Sequence, residues 1–455
     1  MERKKRIGYI CFGEVNTPKE RLLMKYQEGL DFLGSIDNTE ILDAGLVIDD
    51  PEYETANAAI EKLQGYDMDC LFVCVGGWVP THTVIKVTDV FRKKPMLLLG
   101  LCGWVENGRI FTTAEQAGTT AIRPAFEAMG YKFKYVYCTI GEPKPKAKVE
   151  AYLNACYAAA RLRHARIGSM GYRDMILYST LFEGNSLRRE IGVEVEAFET
   201  LEMVQNLESL DPAEIEEGVN FVKTNWKFEA PCEDSVIETA VKYALALKKK
   251  IDERGYEAIT LLDVDGMKKL LGFPPATVFM LLEHYCGVQT TPENDVPGNV
   301  TQLMLKYITG QTIPYFEYYE FFKNSLLIGV PDYIPAAVTD GDIKVLPAAF
   351  GLLTGSLLNV SKPKTGEVTC ARLGYKDDGY YMHLYKGVAK EAPSWAEYGW
   401  DDPVPQLPSL ELELTSCTVE EFADRVLGQH IIVAYGDYME AMEDLCGLLD
   451  IKIIY

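Results

Sequence analysis

The run DCLFVCV at Asp69–Val75 restricts the fold most, because it is apolar at almost every position. A strand that is apolar on both faces must be covered on both, as happens in parallel sheets that lie between layers of helices. A second apolar run, Lys94–Leu101, follows a segment of helical character at Thr83–Arg92. We therefore expect a doubly wound α/β layer.

Strand and helix patterns alternate through residues 1–165 and begin again after them. At 455 residues the chain has room for about three domains of ~150 residues. We predict two doubly wound, Rossmann-like α/β domains, 1–165 and 166–310. The other expected strands are Arg6–Phe12, Thr39–Ala44, Phe133–Cys138, Arg166–Met170, Val193–Phe198 and Glu257–Val264, and the other expected helices are Lys19–Leu33, Ala114–Met129, Val149–Arg163, Pro212–Thr224 and Asp234–Arg254.

From residue 311 the pattern changes to short strands separated by Gly, Pro and Asp. Such spacing is typical of an antiparallel barrel or sandwich. We predict a mostly antiparallel β-barrel as the C-terminal domain, 311–455. Its clearest strand segments are Lys344–Pro347, Gly366–Arg372, Tyr380–Tyr385 and Leu410–Leu414, with a strand from His430 and a final helix at Tyr438–Leu449.

Charge and hydropathy exclude several classes of partner. The net charge of −22 argues against nucleic acid and anionic membranes. No window of about 18 apolar residues suggests a membrane span, and Ile7–Phe12 is too short for a signal peptide. These features predict a cytoplasmic protein. The eleven cysteines form no Cys-x-x-Cys pair and are expected to be reduced, buried thiols.

The stretch Thr291–Tyr319 predicts a loop, a helix and a strand. Asp295 is the expected N-cap, Pro297 suits the first helical turn, and Gly310 is the expected C-cap. One apolar helix face is predicted from the spacing of Val300, Leu303, Met304, Tyr307 and Ile308. The strand is expected at Thr312–Phe322.

This stretch places two carboxylates around its helix, Glu293 before it and Glu317 on the strand after it. A buried carboxylate needs a partner, and a metal ion is one such partner. Among the five histidines, His430 is the candidate third ligand because it begins an apolar strand. Two carboxylates and one imidazole suit Mn²⁺ or Mg²⁺. The alternative is that Glu293 caps the helix and His430 is a core histidine.

Further candidate ligand-binding residues directly follow predicted strands. Open α/β sheets bind their ligands beside the carboxyl ends of the strands. Trp78 and Trp104 each come shortly after a glycine at the expected mouth of the first sheet, although simple packing explains them equally well. Asp263 and Asp265 end a strand of the second sheet, or else form an Asp-Gly turn. No GxGxxG or GxxxxGK[ST] motif supports a nucleotide cradle.

Several segments together resemble the L-fucose isomerase and L-arabinose isomerase superfamily. They are ENDVPGNVTQLMLKYITG, the following PYFEY, GQHIIVAYGDYMEAM near the C-terminus, GSMGYRDMILYS and GEVTCARLGYKDDGYYMHLYKG. In L-fucose isomerases an END motif precedes a helix, a carboxylate follows on the next strand, and a histidine lies near the C-terminus. Glu293, Glu317 and His430 match those positions.

The resemblance implies a metal-dependent aldose–ketose isomerase that acts on an open-chain sugar through an enediolate. Glu293 and Glu317 would be both ligands and acid–base groups, and Mn²⁺ is the expected ion, with Mg²⁺ or Co²⁺ as alternatives. Members are homo-oligomers, so a hexamer or trimer is expected in which the N-terminal domain closes a neighbour's site. The implied substrate contacts are Gln429, Asp265, Trp78, Trp104 and Arg21.

Three departures from L-fucose isomerases predict a different sugar pocket. Glu317 stands where they carry Asp, Gln429 where they carry Asn, and Asp263 and Asp265 where they have a Gln-rich turn. One alternative substrate is sulfoquinovose, whose sulfonate needs a cation; the candidate arginines are Arg123, Arg163, Arg173, Arg188 and Arg189. An alternative of another class is a sugar-binding sensor without catalysis.

Overall fold

The computed structural model describes residues 3–347, 355–376, 378–398 and 406–455. They form two compact units, Met1–Ala160 and Arg161–Tyr455. The predicted division of the second unit at residue 310 stays a prediction.

The first unit is built on a parallel five-stranded sheet of order β2-β1-β3-β4-β7. Strand β3 is buried at every position, as its apolar run predicts, and this confirms the doubly wound fold. A small hairpin, β5–β6, follows β4. The strands are β1 (Lys5–Gly13), β2 (Thr39–Ile48), β3 (Cys70–Val75), β4 (Met96–Gly100), β5 (Trp104–Glu106), β6 (Arg109–Phe111) and β7 (Phe133–Tyr137), and the helices are α1 (Lys19–Gly34), α2 (Glu54–Leu63), α3 (Thr81–Thr88), α4 (Glu115–Ala128) and α5 (Lys146–Leu162).

The second unit begins with another parallel sheet, of order β12-β11-β8-β9. Its order repeats the arrangement of the first four strands of the other sheet, so the second Rossmann-like layer is confirmed as well. The strands of this part are β8 (Arg166–Met170), β9 (Glu194–Phe198), β10 (Lys227–Phe228), β11 (Ala258–Leu261) and β12 (Gln289–Thr291), and the helices are α6 (Gly184–Ser186), α7 (Thr200–Asn206), α8 (Pro212–Asn225), α9 (Asp234–Arg254), α10 (Ala276–Cys286) and α11 (Val296–Thr309).

Strand β11 is shorter than predicted, and the reason lies in a buried carboxylate. The chain leaves the sheet after Leu261 and forms a helical segment at Asp263–Leu270. Asp174, which is fully buried, accepts hydrogen bonds from the backbone N–H groups of Val264 (2.7 Å) and Asp265 (2.8 Å). These bonds turn the backbone away from the sheet three residues before the predicted strand end.

The C-terminal part contains a closed, antiparallel, six-stranded barrel, as predicted. Its strand order is β19-β22-β13-β14-β21-β20, and β20 pairs again with β19 to close it. A small sheet of β10, β16 and β17 joins this part to the preceding one. The strands are β13 (Tyr315–Phe321), β14 (Ser325–Gly329), β15 (Thr339–Asp340), β16 (Lys344–Pro347), β17 (Leu357–Asn359), β18 (Lys362–Pro363), β19 (Gly366–Lys376), β20 (Gly379–Glu391), β21 (Ser409–Leu414), β22 (His430–Tyr435) and β23 (Lys452–Ile454), and the helices are α12 (Val419–Ala423) and α13 (Met439–Leu449).

Helix α11 has the predicted caps but not the predicted single apolar face. Asp295 accepts a hydrogen bond from the Gly298 N–H at 3.0 Å, and Gly310 ends the helix in the left-handed conformation. The helix is buried nearly all round, because it contacts the parallel sheet through β12 and β11 and the barrel through β19 and β22. The buried amide of Gln302 is satisfied within the protein: its Nε2 donates to the carbonyls of Thr290 (2.9 Å) and Ile313 (2.8 Å).

All eleven cysteines are free thiols, as expected, but their predicted burial is only partly right. Cys102, Cys232, Cys286 and Cys417 are partly exposed, and the other seven are buried. In the part of the chain that the structure describes, every helix is too short or too polar to cross a bilayer.

Candidate metal centre

Glu293, Glu317 and His430 come together, and each is supplied by a different element. Glu293 lies in the loop between β12 and α11, Glu317 lies on β13, and His430 begins β22. Because β13 and β22 pair in antiparallel fashion, Glu317 and His430 are direct cross-strand partners. One ligand atom from each residue lies within 4.8 Å of the other two.

His430 is oriented by a buried carboxylate. Its Nδ1 lies 2.7 Å from Asp295 Oδ2, and both side chains are fully buried. This hydrogen bond directs Nε2 towards Glu293 Oε2, 3.4 Å away, and Glu317 Oε1, 3.7 Å away. Metal-binding histidines usually donate their second ring N–H to a carboxylate, a backbone carbonyl or a water, and this contact fixes the orientation of the ring.

Asp295 is itself held by Arg372, which is 1% exposed. The guanidinium donates to both carboxylate oxygens, with Nη2 at 2.9 Å from Oδ1. Burial alone would raise the pKa of Asp295, but Arg372 and His430 hold it well below the usual range of aspartate. The sequence predicts Asp295 only as the N-cap of α11; its second role depends on residues far away in the chain.

The charge around His430 favours a bound cation. Burial lowers the pKa of His430, yet the hydrogen bond to Asp295 and the nearby carboxylates of Glu293 and Glu317 raise it well above the usual value. Its Nε2 is buried and has no hydrogen-bond partner in the described part of the chain. Two carboxylates and an unpartnered imidazole nitrogen form a donor set that Mn²⁺ or Mg²⁺ accepts, so these residues fit a divalent ion.

A cavity of about 610 Å³ opens beside this group. Pockets of roughly 300–1,000 Å³ are typical for small-molecule ligands. Four carboxylates line it, Asp263, Glu293, Glu317 and Asp332, together with one lysine, Lys268. The other lining residues are mostly apolar: Met175, Val264, Pro274, Pro275, Ala276, Tyr318, Tyr319, Pro331, Leu358, Trp395 and Leu407.

Asp332 is a carboxylate of this cavity that no sequence pattern predicts. Tyr315 donates its hydroxyl to Asp332 Oδ2 at 2.6 Å, and the Tyr315 ring packs edge-on against His430 at 5.2 Å. Burial, together with the charges of Glu317 and Glu293, raises the pKa of Asp332 to about 7, although the Tyr315 hydrogen bond acts in the opposite direction. No motif marks Asp332 in the sequence.

Of the predicted substrate contacts in the second unit, Gln429 lies at the candidate ligand group and Asp265 lies outside the cavity lining. Gln429 Nε2 donates to Glu293 Oε2 at 2.9 Å, and its Oε1 accepts from the Ser179 hydroxyl, so this residue contacts the candidate ligand group directly. Asp265 forms an ion pair with Lys269 at 2.7 Å and does not line the cavity; its neighbours Asp263 and Lys268 do.

Arg21, Trp78 and Trp104 lie in the first unit, and their contribution to a sugar site stays a prediction. The Arg21 guanidinium carbon lies 5.0 Å from the centre of the Trp104 ring, which stacks on Phe111 at 5.8 Å. Trp78 is 38% exposed. Of the arginines considered for a sulfonate, the four in the second unit are absent from the cavity wall.

Comparison with known proteins finds low but extended similarity to sugar-converting enzymes. The chain is 22% identical over 426 residues to the sulfoquinovose isomerases of Priestia aryabhattai and Priestia megaterium, and the match covers 88% of this chain and 88% of each relative. No protein-family model matches the chain.

Proposed function

We propose that this chain is an aldose–ketose isomerase that uses a divalent cation held by Glu293, Glu317 and His430. The observation that carries the proposal is the convergence of these three ligand groups within 4.8 Å at the wall of a cavity large enough for a sugar. Similarity to two sulfoquinovose isomerases over 88% of the chain supports the reaction class.

The two glutamates can move the proton that the reaction requires. One carboxylate removes the proton from the carbon next to the aldehyde, which gives an enediolate, and a carboxylate returns the proton to the neighbouring carbon. The hydroxyl proton passes between the two oxygens, so the aldose and ketose have the same composition. A divalent cation held by these residues, for which Mn²⁺ is our first choice, would supply Lewis-acid polarisation of the carbonyl and stabilise the negative charge that develops.

The surrounding residues hold these groups in place. Asp295 keeps His430 Nε2 directed at the cation site, and Gln429 donates to Glu293 and fixes one carboxylate oxygen. The aromatic and proline side chains beside the carboxylates exclude water from part of the cavity. Following the resemblance, we also propose a homo-oligomer, to be measured by light scattering.

The proposal is tested with a panel of aldoses assayed for ketose formation with Mn²⁺, Mg²⁺ or Co²⁺ and with EDTA. We expect turnover that requires the metal and is lost in Glu293→Gln and Glu317→Gln. Full activity of both variants would overturn the site. Sugar binding that survives EDTA, with no turnover on any aldose, would favour the sensor instead.

A second candidate, a sulfo-sugar as the substrate, is favoured by one structural feature. Lys268 is the cationic side chain in the described lining of the cavity, and a sulfonate needs such a contact. The similarity to sulfoquinovose isomerases supports the same substrate. Comparison of kcat/KM for sulfoquinovose, glucose and 6-deoxy sugars decides this, and a preference for an uncharged sugar would exclude it.

A further inference from the structure

The backbone at Glu293 has an uncommon conformation. Glu293 and Asn294 have φ angles of +62° and +53°, so two consecutive residues that are not glycine lie in the left-handed region. Side chains other than Asn and Asp rarely adopt this conformation, because Cβ approaches the backbone too closely. Glycine would relieve the strain at residue 293, but it would also remove the carboxylate.

Two neighbouring groups hold this conformation. Asp263, which is 2% exposed, accepts a hydrogen bond from the Glu293 N–H at 2.5 Å. Asn294 is 1% exposed, and its Nδ2 donates to the Met170 carbonyl at 2.9 Å and the Ser169 hydroxyl at 3.2 Å.

The backbone conformation determines where the Glu293 side chain points. Rotation of φ to an ordinary negative value would turn the Cα–Cβ bond and move the carboxylate from its position 3.4 Å from His430 Nε2. The Asn294 side chain binds the residue after Glu293 to strand β8, whereas Asp263 accepts a hydrogen bond from Glu293 itself. Gln429 contacts the carboxylate itself, and the hydrogen bond from the Glu293 N–H to Asp263 is the side-chain interaction that acts directly on the backbone conformation of the candidate ligand.

We propose that Asp263 is a positioning residue of the metal centre, which keeps the Glu293 carboxylate in place by accepting the Glu293 backbone N–H. This inference rests on the proposed function, because it concerns the same ligand group. The sequence suggests Asp263 as a candidate ligand-binding residue at a strand end, and the proposal gives it the role of positioning Glu293 instead. A merely structural role for Asp263 would affect folding without changing metal affinity or metal coordination.

The test compares Asp263→Asn, which keeps an oxygen acceptor of the same length, with Asp263→Ala, which removes it. The full-length variants are titrated with Mn²⁺ by calorimetry, and the Co²⁺-loaded proteins are compared by visible absorption. Asp265→Ala is the matched control for metal affinity, because Asp265 lies in the same helical segment and accepts from Met175 rather than Glu293.

We expect Asp263→Ala to weaken Mn²⁺ binding about 10- to 100-fold and to alter the Co²⁺ spectrum, as is usual when a residue that orients a ligand is lost. Asp263→Asn and Asp265→Ala should bind within about threefold of the wild type. If Asp263→Ala does not fold, Asp263→Ser replaces it, because its shorter side chain cannot reach the Glu293 N–H. Equal affinity of Asp263→Asn and the shortened variant overturns the inference. Failure of the wild type to bind any divalent ion overturns the proposed function as well.

Discussion

Glu317 and His430 are direct partners across β13 and β22, with Glu317 Oε1 3.7 Å from His430 Nε2. Both strands belong to a closed barrel, so the spacing of this pair is set by sheet pairing. Glu293, which comes from a loop, completes the group. The two barrel residues therefore provide the rigid side of the candidate metal centre.

Replacement of Glu317 by Gln should lower kcat strongly without destabilising the fold. Its side chain is 23% exposed, and removal of one negative charge relieves repulsion among the cavity carboxylates. We expect kcat to fall by roughly 10²–10⁴, the usual contribution of an acid–base group. The unfolding temperature of the metal-free protein should stay equal or rise. Glu320→Gln, an exposed position on the same strand, is the control and should keep wild-type kcat.

Divalent metal should stabilise the protein against heat. A ligand that binds only the folded state at 100 times its Kd adds about 2.7 kcal/mol, and Mn²⁺ should do so by replacing the proton on His430 and neutralising the glutamates. Thermal unfolding with Mn²⁺ and with EDTA measures this. The increment should disappear in Glu293→Gln and persist in Glu320→Gln; an equal increment in both would contradict the ligand assignment.

The secondary-structure elements of this site are predicted from the sequence more completely than the contacts between its side chains. The caps of α11 and the strand that carries Glu317 follow from local patterns, and the motif resemblance pairs them with His430. The roles of Arg372 and Asp332 do not follow, because each depends on contacts between residues distant in the chain. The strand that leads into Asp263 and Asp265 is predicted too long, because the contact that ends it early is made by Asp174, which is remote in sequence.

Replacement of Asp295 by Asn should be strongly destabilising. It would leave Arg372, which is 1% exposed, with an uncompensated buried charge, and breaking such a pair costs about 3–5 kcal/mol. Denaturant unfolding at pH 7 measures the loss. Asp342→Asn, which removes an exposed ion pair with Lys227, is the control and should change stability by no more than about 0.5 kcal/mol.

The same carboxylate predicts a pH dependence. Because Arg372 and His430 hold the pKa of Asp295 below the usual range, the unfolded chain takes up a proton near pH ~4 while the folded protein does not. This contribution is therefore complete at neutral pH and is lost as the pH falls below about 4. Acid titration of the wild type, followed by circular dichroism, should show a steeper loss in that range than Asp295→Asn does.

In the metal-free protein, Asp332 should make the folding stability depend on pH in the opposite direction to Asp295. Burial and the charges of Glu317 and Glu293 raise its pKa to about 7, so between pH ~4 and 7 the folded state binds more protons than the unfolded state. Stability in EDTA should decrease as the pH rises through this range. Asp332→Asn should flatten the dependence, and an unchanged slope in that variant would contradict the assignment.

Lys268 provides the sharpest test of the substrate. If a sulfonate contacts it, Lys268→Met should lower kcat/KM for sulfoquinovose about 10- to 100-fold, since a hydrogen bond to a charged group contributes about 1.5–3 kcal/mol. The same variant should leave kcat/KM for uncharged aldoses nearly unchanged. Lys269→Met is the matched control, because the adjacent Lys269 does not line the cavity. Equal losses on charged and uncharged sugars would show that Lys268 supports the cavity wall instead of selecting an anionic substrate.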